Sequence, residues 1–482
     1  MDMFEVIGSF GPWQRRVFIL FFIINIVGMW QNLAITFFAP NMDFRCVEPS
    51  YEEDSWTNET VFDNRCEVPA NGSNASVPCT KWEYDTSFYS QTIVSEWDLV
   101  CGREWLISLT KSVYMLGFLI SVFVFGQLSD SIGRLPAIVI SYIITVISML
   151  LTLLSNSFVM FSVLRFLQAL GRTALTTVGF VLIMEMTGPQ HRTEVGIGIQ
   201  LGWSIGFTTL AAVAWFFRHW FWFQLALSVP ILPILFFYKM VPESPRWLLS
   251  KGRTEQLEKL LTKAAELNGK EIKGKQKRST ETILYVFRWP RMRNRALNVN
   301  YLWVVNSFMY YGLSFNTNDL AGNPYLNFFL AGVLEFPSYV VLFWGIKKWG
   351  RRPTLIALMM VGGTACAAIA FVPLKLSWLS TSFAMVGKFC VTGSFGLMYL
   401  YTGELFPTVV RNVTIGSCSM FARIGSVLAP FVRELGKATH PAVPNILYGL
   451  LALSSGLLAF LLPETREQKL PDTLEEGENF GK

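Results

Sequence analysis

Runs of apolar residues, separated by shorter polar or charged stretches, recur along the whole chain. A helix needs about 20 mostly apolar residues to cross the ~30 Å hydrocarbon core of a bilayer. Twelve segments meet that measure, at residues 17–39, 105–128, 135–155, 158–186, 193–217, 220–241, 296–316, 324–346, 353–374, 377–402, 413–434 and 443–462. The pattern predicts an all-α membrane protein with twelve transmembrane helices. The first run follows Arg15 and Arg16, is too long for a signal peptide and has no small-residue cleavage site after it. It reads as an anchor retained in the mature chain.

Composition agrees with the pattern. Of 482 residues, 52% are hydrophobic and only 15% are charged, where a soluble domain carries about 25% charged residues. A soluble enzyme, a disordered chain and a nucleic-acid binder are thereby disfavoured. The chain has 3 histidines, and His191 and His219 stand at helix ends. It shows no metal-ligand cluster, no phosphate-binding Gly-rich loop and no nucleophile–base set. No enzyme activity, cofactor or metal is expected, and direct coupling to ATP is disfavoured.

Loop charge sets the expected orientation, because basic residues near helix ends stay cytoplasmic. Residues 242–295 hold 14 Lys and Arg against 6 Asp and Glu, whereas residues 40–104 hold 4 against 13. Both termini and the 242–295 loop are expected in the cytoplasm and the acidic segment outside. That segment carries glycosylation sequons at Asn58, Asn71 and Asn74 and four cysteines, Cys46, Cys66, Cys79 and Cys101. Two disulfides are expected there, with all three connectivities open. A fourth sequon, at Asn412, is expected to stay bare. Cys366, Cys390 and Cys418 lie within spans and read as small buried hydrophobes. In the cytoplasmic loop, Thr254 is a candidate N-cap, and Leu257, Leu260, Leu261, Ala264 and Leu267 form one apolar stripe before Gly269. A short amphipathic helix under the bundle is predicted. The Lys-rich stretch 270–278 reads as a solvated positive-inside loop, with attraction to anionic lipid as the alternative.

The chain repeats itself. Gly133-Arg134 matches Gly350-Arg351 at an offset of 217, Glu185 with Arg192 matches Glu404 with Arg411 at 219, and Pro242-Glu243-Ser244 matches Pro463-Glu464-Thr465 at 221. Each pair falls at a predicted cytoplasmic helix end. Two parallel six-helix halves with a site between them near the midplane is a transporter design. The expected divisions are a cytoplasmic N-terminus (1–16), a first half (17–241) that includes the outer segment 40–104, a loop (242–295), a second half (296–463) and a tail (464–482). Arg and Glu at facing helix ends are expected to form a charge network between the halves that must break when the cytoplasmic side opens.

These motifs resemble a known family. Gly126-Gln127-Leu128-Ser129-Asp130-Ser131-Ile132-Gly133-Arg134 is similar to the loop signature of the major facilitator superfamily. Ser95-Glu96-Trp97-Asp98-Leu99-Val100-Cys101, Pro242-Glu243-Ser244-Pro245-Arg246-Trp247-Leu248, Tyr310-Tyr311-Gly312-Leu313-Ser314, Gly403-Glu404-Leu405-Phe406-Pro407-Thr408 and Leu462-Pro463-Glu464-Thr465 resemble its organic ion transporters, which handle organic cations, organic anions and carnitine. The likeness covers nearly the whole chain. It implies the major facilitator fold and gating roles for Asp130, Gly133, Arg134, Glu185, Arg192, Arg351, Glu404 and Arg411. Ser131 stands where the family signature has a basic residue, and the second copy, Gly345-Ile346-Lys347-Lys348-Trp349-Gly350-Arg351-Arg352, lacks the acid. Weaker gate networks are expected.

A charged side chain at mid-bilayer costs about 2.5–3.5 kcal/mol on insertion scales, so it is expected to face a cavity and a partner. Arg423 shares a stripe with Ser419, Ser426 and Pro430. Cation-carrying relatives are expected to hold an aspartate there, so Phe421-Ala422-Arg423-Ile424-Gly425-Ser426 resembles the anion and carnitine branches. Its guanidinium suits a substrate carboxylate; the alternative is an ion pair with Glu335. Lys388 shares a face with Thr392, Phe395 and Tyr399, and either meets substrate or snorkels to a helix end. Arg165 reads as structural, paired with a cytoplasmic-side acid, and Arg172 as facing the cavity. Lys111 has no evident role. In the fifth span Gly198, Gly202 and Gly206 form a packing seam opposite Gln200, Trp203, Ser204 and Phe207. In the seventh, Trp303, Asn306, Tyr310 and Ser314 share a stripe flanked by Tyr311, and aromatic faces suit quaternary ammonium or flat anions. Asn32 resembles a cavity-lining asparagine of the anion branch.

The expected function is alternating-access transport of amphiphilic organic ions across the plasma membrane, favouring carboxylate-bearing substrates read by Arg423. The alternatives are an organic cation transporter of the same family and a non-transporting receptor or sensor. Small organic ions and the lipid bilayer are the expected partners, with no nucleic acid, and the chain is expected to work as a monomer.

Overall fold

A computed structural model of the protein describes residues 7–48, 66–69, 76–269, 289–317, 320, 322–407, 410–466, 468, 471 and 474–480. All twelve predicted spans are helical. The first half holds Pro12–Leu33 with Ile35–Phe38, Trp105–Ile132, Arg134–Thr152, Phe158–Met186, Arg192–Phe216 and Trp220–Ser228 with Val229–Met240. The second holds Pro290–Phe315, Pro324–Val333 with Glu335–Lys348, Arg351–Ile369, Ser377–Leu405, Arg411–Leu428 with Phe431–Ala438, and Val443–Ala459. They are numbered below as spans one to twelve.

Among the described residues, nine of these helices are long and apolar enough to cross a membrane. The other three depart for local reasons. The sixth span is α-helical only to Ser228 and then tightens into a 3-10 helix, because Pro230 and Pro233 supply no backbone donor. The seventh opens on Arg291, Arg293 and Arg295 and carries Asn298, Asn300 and Asn306. The twelfth has only 17 residues.

Packing repeats at a displacement of six spans. The third span lies along the fourth and sixth, as the ninth does along the tenth and twelfth, and the first along the fifth, as the seventh along the eleventh. The halves meet where the second span touches the eleventh and the fifth touches the eighth, a pair of contacts related by the same displacement. The glycine seam of the fifth span packs closely, and its partner is the first span. A Cβ on Gly206 would lie 2.6 Å from the Ile26 carbonyl oxygen, and one on Gly425 would overlap the carbonyl of Val304 in the mirrored contact. Only glycine permits backbones to approach this closely.

The segment between the first two spans forms two short antiparallel pairs, Phe44–Glu48 with Lys81–Tyr84 and Glu67–Pro69 with Ser76–Pro78. Disulfides Cys46–Cys79 and Cys66–Cys101 select one of the three connectivities. Tyr84 donates to Asp98 at 2.9 Å, and burial together with that carboxylate pushes its phenol pKa up. Asn58, Asn71, Asn74 and the Lys-rich stretch lie outside the described residues. Cys366, Cys390 and Cys418 are free and buried.

At the other end of the bundle, the predicted loop helix spans Thr254–Asn268 and stops at Gly269 in the left-handed region, φ 67°. Arg253 is its N-cap and Thr254 takes the first helical position, a one-residue correction with no side-chain cap. Leu257 and Ala264 are buried against the bundle. Asn268 holds the helix to the N-terminus: its side chain accepts from the Trp13 amide at 2.9 Å and donates to the Ile7 carbonyl at 2.6 Å.

The hydrogen bonds and ion pairs that join the halves run from mid-bundle to the disulfide-bearing end. Glu104 pairs with Arg433 at 3.5 Å and with Lys437. Ser108 donates to Glu434 and Ser112 to the Val427 carbonyl, each at 2.8 Å, and Tyr325 donates to the Phe88 carbonyl at 2.8 Å. Replacing Glu104 with Gln leaves Arg433 and Lys437 facing a neutral side chain. A cysteine placed at Ser112, at this junction, should then react several-fold faster with a water-soluble maleimide than in the otherwise native chain; equal rates would show that the ion pairs do not hold the halves together.

Candidate functional site

Two sets of charged side chains occupy the bundle, one at the end that carries the repeated motifs and one in the middle. The motif end is built twice. Gly133 and Gly350, at φ 112° and 100°, turn the chain sharply into the third and ninth spans. The Glu243 carboxylate accepts the freed amides of Arg134 and Leu135 at 2.8 and 3.2 Å, and Glu464 accepts those of Arg351 and Arg352 at 2.9 Å each. A carboxylate is favoured at a helix N-terminus, where unpaired amides and the helix dipole present positive charge.

Arg134 then grips Glu185 through two nitrogens at 3.1 and 2.9 Å and reaches Asp130 at 2.8 Å. Arg351 grips Glu404 at 2.9 Å through two nitrogens. Where the second copy has Lys347 in place of an acid, Thr465 donates to Glu404 at 2.5 Å. These bidentate pairs lie within each half. The expected network between the halves is corrected by this geometry: both members of each pair come from neighbouring helices of one half. Arg192 donates to the Thr187 carbonyl at 3.2 Å, and Arg411 opens the eleventh span.

In the middle, the tenth span carries Lys388, 2% exposed. Its ammonium lies 3.3 Å from Glu335 of the eighth span and donates to Ser314 at 2.7 Å. It also sits 3.4 Å from the centre of the Tyr310 ring and 4.8 Å from that of Phe207. Lys388 does not snorkel; a buried acid and two rings hold it inside. Glu335 is the hub of the cluster. It accepts from Tyr310 at 2.6 Å and, across the junction between halves, from Ser204 of the fifth span at 2.7 Å. Trp203 donates to the Tyr310 hydroxyl at 2.8 Å, a second bond between halves. Phe207 stacks on Phe328 with centroids 4.5 Å apart.

Beside this neutral pair stand two cations of another kind. Arg423 lies 5.1 Å from the centre of the Phe118 ring, and Arg172 lies 5.6 Å from the same ring and 5.7 Å from Trp203. Among the described residues no carboxylate pairs with either guanidinium. The proposed Arg423–Glu335 ion pair is therefore corrected: Glu335 is engaged by Lys388. Arg165 is also corrected. It sits near the disulfide end and its partners are Gln31 and Gln168 at 3.2 Å and the Tyr114 ring at 4.3 Å, with no acid among them. Lys111 lies 5.6 Å from the Phe315 ring.

The remaining expected residues divide. Tyr311 packs edge-on against Tyr310 at 5.4 Å, and Tyr399 against Trp303 at 4.5 Å. Asn32 accepts from Tyr114 at 3.3 Å, whereas Asn306 is engaged internally, donating to the Leu302 carbonyl at 2.9 Å and accepting from Ser394. Gln200 is half-buried on the fifth span, one turn from Trp203 and Ser204. Reading the sequence missed Glu335 as the centre of the cluster and missed Phe118 altogether. A lone acid midway along an apolar helix was the available signal for the first; for a phenylalanine among 40 there was none.

Comparison with known proteins adds the following. A family model described as sugar (and other) transporter matches residues 27–475. The Drosophila melanogaster protein named organic cation transporter protein is 37% identical, with 100% of this chain and 95% of the relative aligned. Solute carrier family 22 member 3 of Rattus norvegicus is 32% identical over 98% of this chain and 94% of its own. Among solved structures, a major facilitator proton:xylose symporter bound to 6-bromo-6-deoxy-D-glucose superposes with a TM-score of 0.63 at 15% identity, over 98% of this chain and 99% of that one. Likeness at that identity speaks for the fold alone.

The mid-bundle cluster makes a stability prediction. Glu335→Gln leaves the Lys388 ammonium buried without its counter-charge, at a cost of about 3–5 kcal/mol. The purified variant should melt well below the native chain, and Glu335→Gln with Lys388→Met should recover most of the loss. A double variant no more stable than the single one would show that the pair is not the source of the effect.

Proposed function

The chain belongs to the organic ion transporter family of the major facilitator superfamily, and from that premise we propose that it carries carboxylate-bearing organic ions by alternating access. Its substrates would be organic anions or zwitterions such as carnitine. The observation that carries the reading is Arg423, half-buried in the eleventh span with its guanidinium over Phe118 and no carboxylate paired with it among the described residues. A planar fork of donors suits a substrate carboxylate, and the neighbouring rings suit an organic body.

The charge at mid-bundle supports the same reading. Arg172, Lys388 and Arg423 stand near the junction of the halves with the carboxylate of Glu335. A substrate cation would enter this field against repulsion, and Glu335 is already engaged by Lys388. The names of the relatives favour a second reading, transport of organic cations through the aromatic faces alone.

In the proposed cycle the Ser204–Glu335 and Trp203–Tyr310 bonds sit where the halves rock against each other. Asp130, Arg134, Glu185, Arg192, Arg351, Glu404 and Arg411 keep the motif end of each half rigid while that movement occurs. The disulfide-bonded segment would face outward at the plasma membrane, glycosylated at Asn58, Asn71 and Asn74, with both termini inside and a single chain as the working unit.

Uptake of labelled carnitine, benzoate and tetraethylammonium by the native chain and by Arg423→Asp tests the assignment. Carboxylate uptake is expected to dominate in the native chain and to fall by about tenfold or more in the variant, with relative gain for the cation. Native uptake of tetraethylammonium alone, or unchanged selectivity after the swap, would falsify the role given to Arg423.

A further inference from the structure

We propose that the motif end of the second half binds the phosphate headgroup of an acidic phospholipid, at a basic and aromatic corner where the eighth and twelfth spans end and the ninth begins. The two copies of the motif differ in charge at this corner. At the offset that relates Gly133 to Gly350, the first copy's Asp130, Ser131, Ile132 and Leu135 are replaced by Lys347, Lys348, Trp349 and Arg352. In the first copy Asp130 answers Arg134 at 2.8 Å. In the second the nearby acids are engaged elsewhere. Glu404 is gripped by Arg351, and Glu464 accepts the backbone amides of Arg351, Arg352, Thr465 and Arg466. Among the described residues no carboxylate pairs with the side chain of Lys347, Lys348 or Arg352.

The basic residues share one corner. Lys347 and Lys348 close the eighth span and are exposed. Each folds back along the helix over a ring one turn earlier, Lys347 4.4 Å from the centre of Phe343 and Lys348 4.7 Å from that of Trp344. Trp349 packs edge-on against Trp344 at 5.0 Å. Arg466 donates to the Lys348 carbonyl at 2.8 Å, and Arg352 lies 5.7 Å from the centre of the Phe460 ring. The amides of Arg352 and Arg466 meet on the one Glu464 carboxylate. Phe343, Trp344, Trp349 and Phe460 are all exposed.

Exposed aromatic rings at a helix end mark the depth of the lipid headgroups. A lysine that only had to escape hydrocarbon would snorkel outward to water. Here both ammoniums turn the other way, to the level of the rings. Contact with a ring offsets part of the loss of water around an ammonium, and a phosphate oxygen at that depth supplies a counter-charge. Four Lys and Arg beside a span make a cluster of the size that attracts acidic lipid. With the termini inside, as proposed above, this end meets the leaflet that carries such lipids. The corner is separate from the mid-bundle cluster: Lys348 is 13 residues along the eighth span from Glu335, a distance of about 20 Å.

Binding of dioctanoyl phosphatidylinositol bisphosphate, dioctanoyl phosphatidylserine and dioctanoyl phosphatidylcholine to the purified full chain, counted by native mass spectrometry, tests this. The acidic lipids should bind at least about tenfold more tightly than phosphatidylcholine. Lys347→Gln with Lys348→Gln and Arg352→Gln should remove most of that preference, and Lys347→Arg with Lys348→Arg should keep it. Lys347→Asp alone, which restores the first copy's acid, should weaken binding in the same direction and serves if the triple variant does not fold. Arg15→Gln with Arg16→Gln removes two exposed cations from the first span and should leave binding unchanged. Preference for the bisphosphate over the serine lipid would identify a phosphoinositide site, and equal preference a site for any acidic headgroup; both agree with the proposal. It is overturned if phosphatidylcholine binds equally well, if the folded triple variant or Lys347→Asp binds as the native chain does, or if the Arg15 and Arg16 changes weaken binding as much.

Discussion

Inside a bilayer the solvent offers a charge no counter-charge, so the protein must supply one or leave a site that wants it. This constraint organises the molecule. At the motif end Arg134 and Arg351 each hold a glutamate through two nitrogens, and at mid-bundle Lys388 holds Glu335. Three arginines have no counter-charge among the described residues: Arg172 and Arg423 lie against the Phe118 ring, and Arg165 has two glutamines and the Tyr114 ring.

The same constraint explains why the repeats lie where they do. Glu243 and Glu464 accept the first amides of the helices that follow Gly133 and Gly350, so each half closes its own motif end with one carboxylate. The bonds between halves at mid-bundle are single hydrogen bonds, Ser204 to Glu335 and Trp203 to Tyr310. Single hydrogen bonds are cheaper to break than bidentate ion pairs. Rigid halves with a softer seam suit two bodies that rock.

Much of this was legible in the sequence because its signals are periodic or local. Twelve apolar runs, the Gly206 seam, the Gly269 helix stop and the motif offsets depend only on residue type and spacing. What spacing does not carry is which helix stands opposite which. Lys388 and Arg423 were equally open to Glu335 along the chain, and only the packing of the eighth span on the tenth decides for Lys388. The expected network between halves failed for the same reason: Arg134 and Glu185 belong to helices that pack together within one half. Phe118 carries no signature, since a ring that two cations approach is written like any ring that faces lipid.

That self-contained closure has a bearing on biosynthesis. The bonds that seal the motif end of the first half join residues between Asp130 and Trp247, and the Asn268 side chain then ties the chain back to Ile7 and Trp13. All of these partners precede the seventh span. Domains form as units, N-terminal first, while the ribosome is still at work. The first half can therefore be clamped shut at one end before residue 290 exists, and it meets the second half as a finished surface.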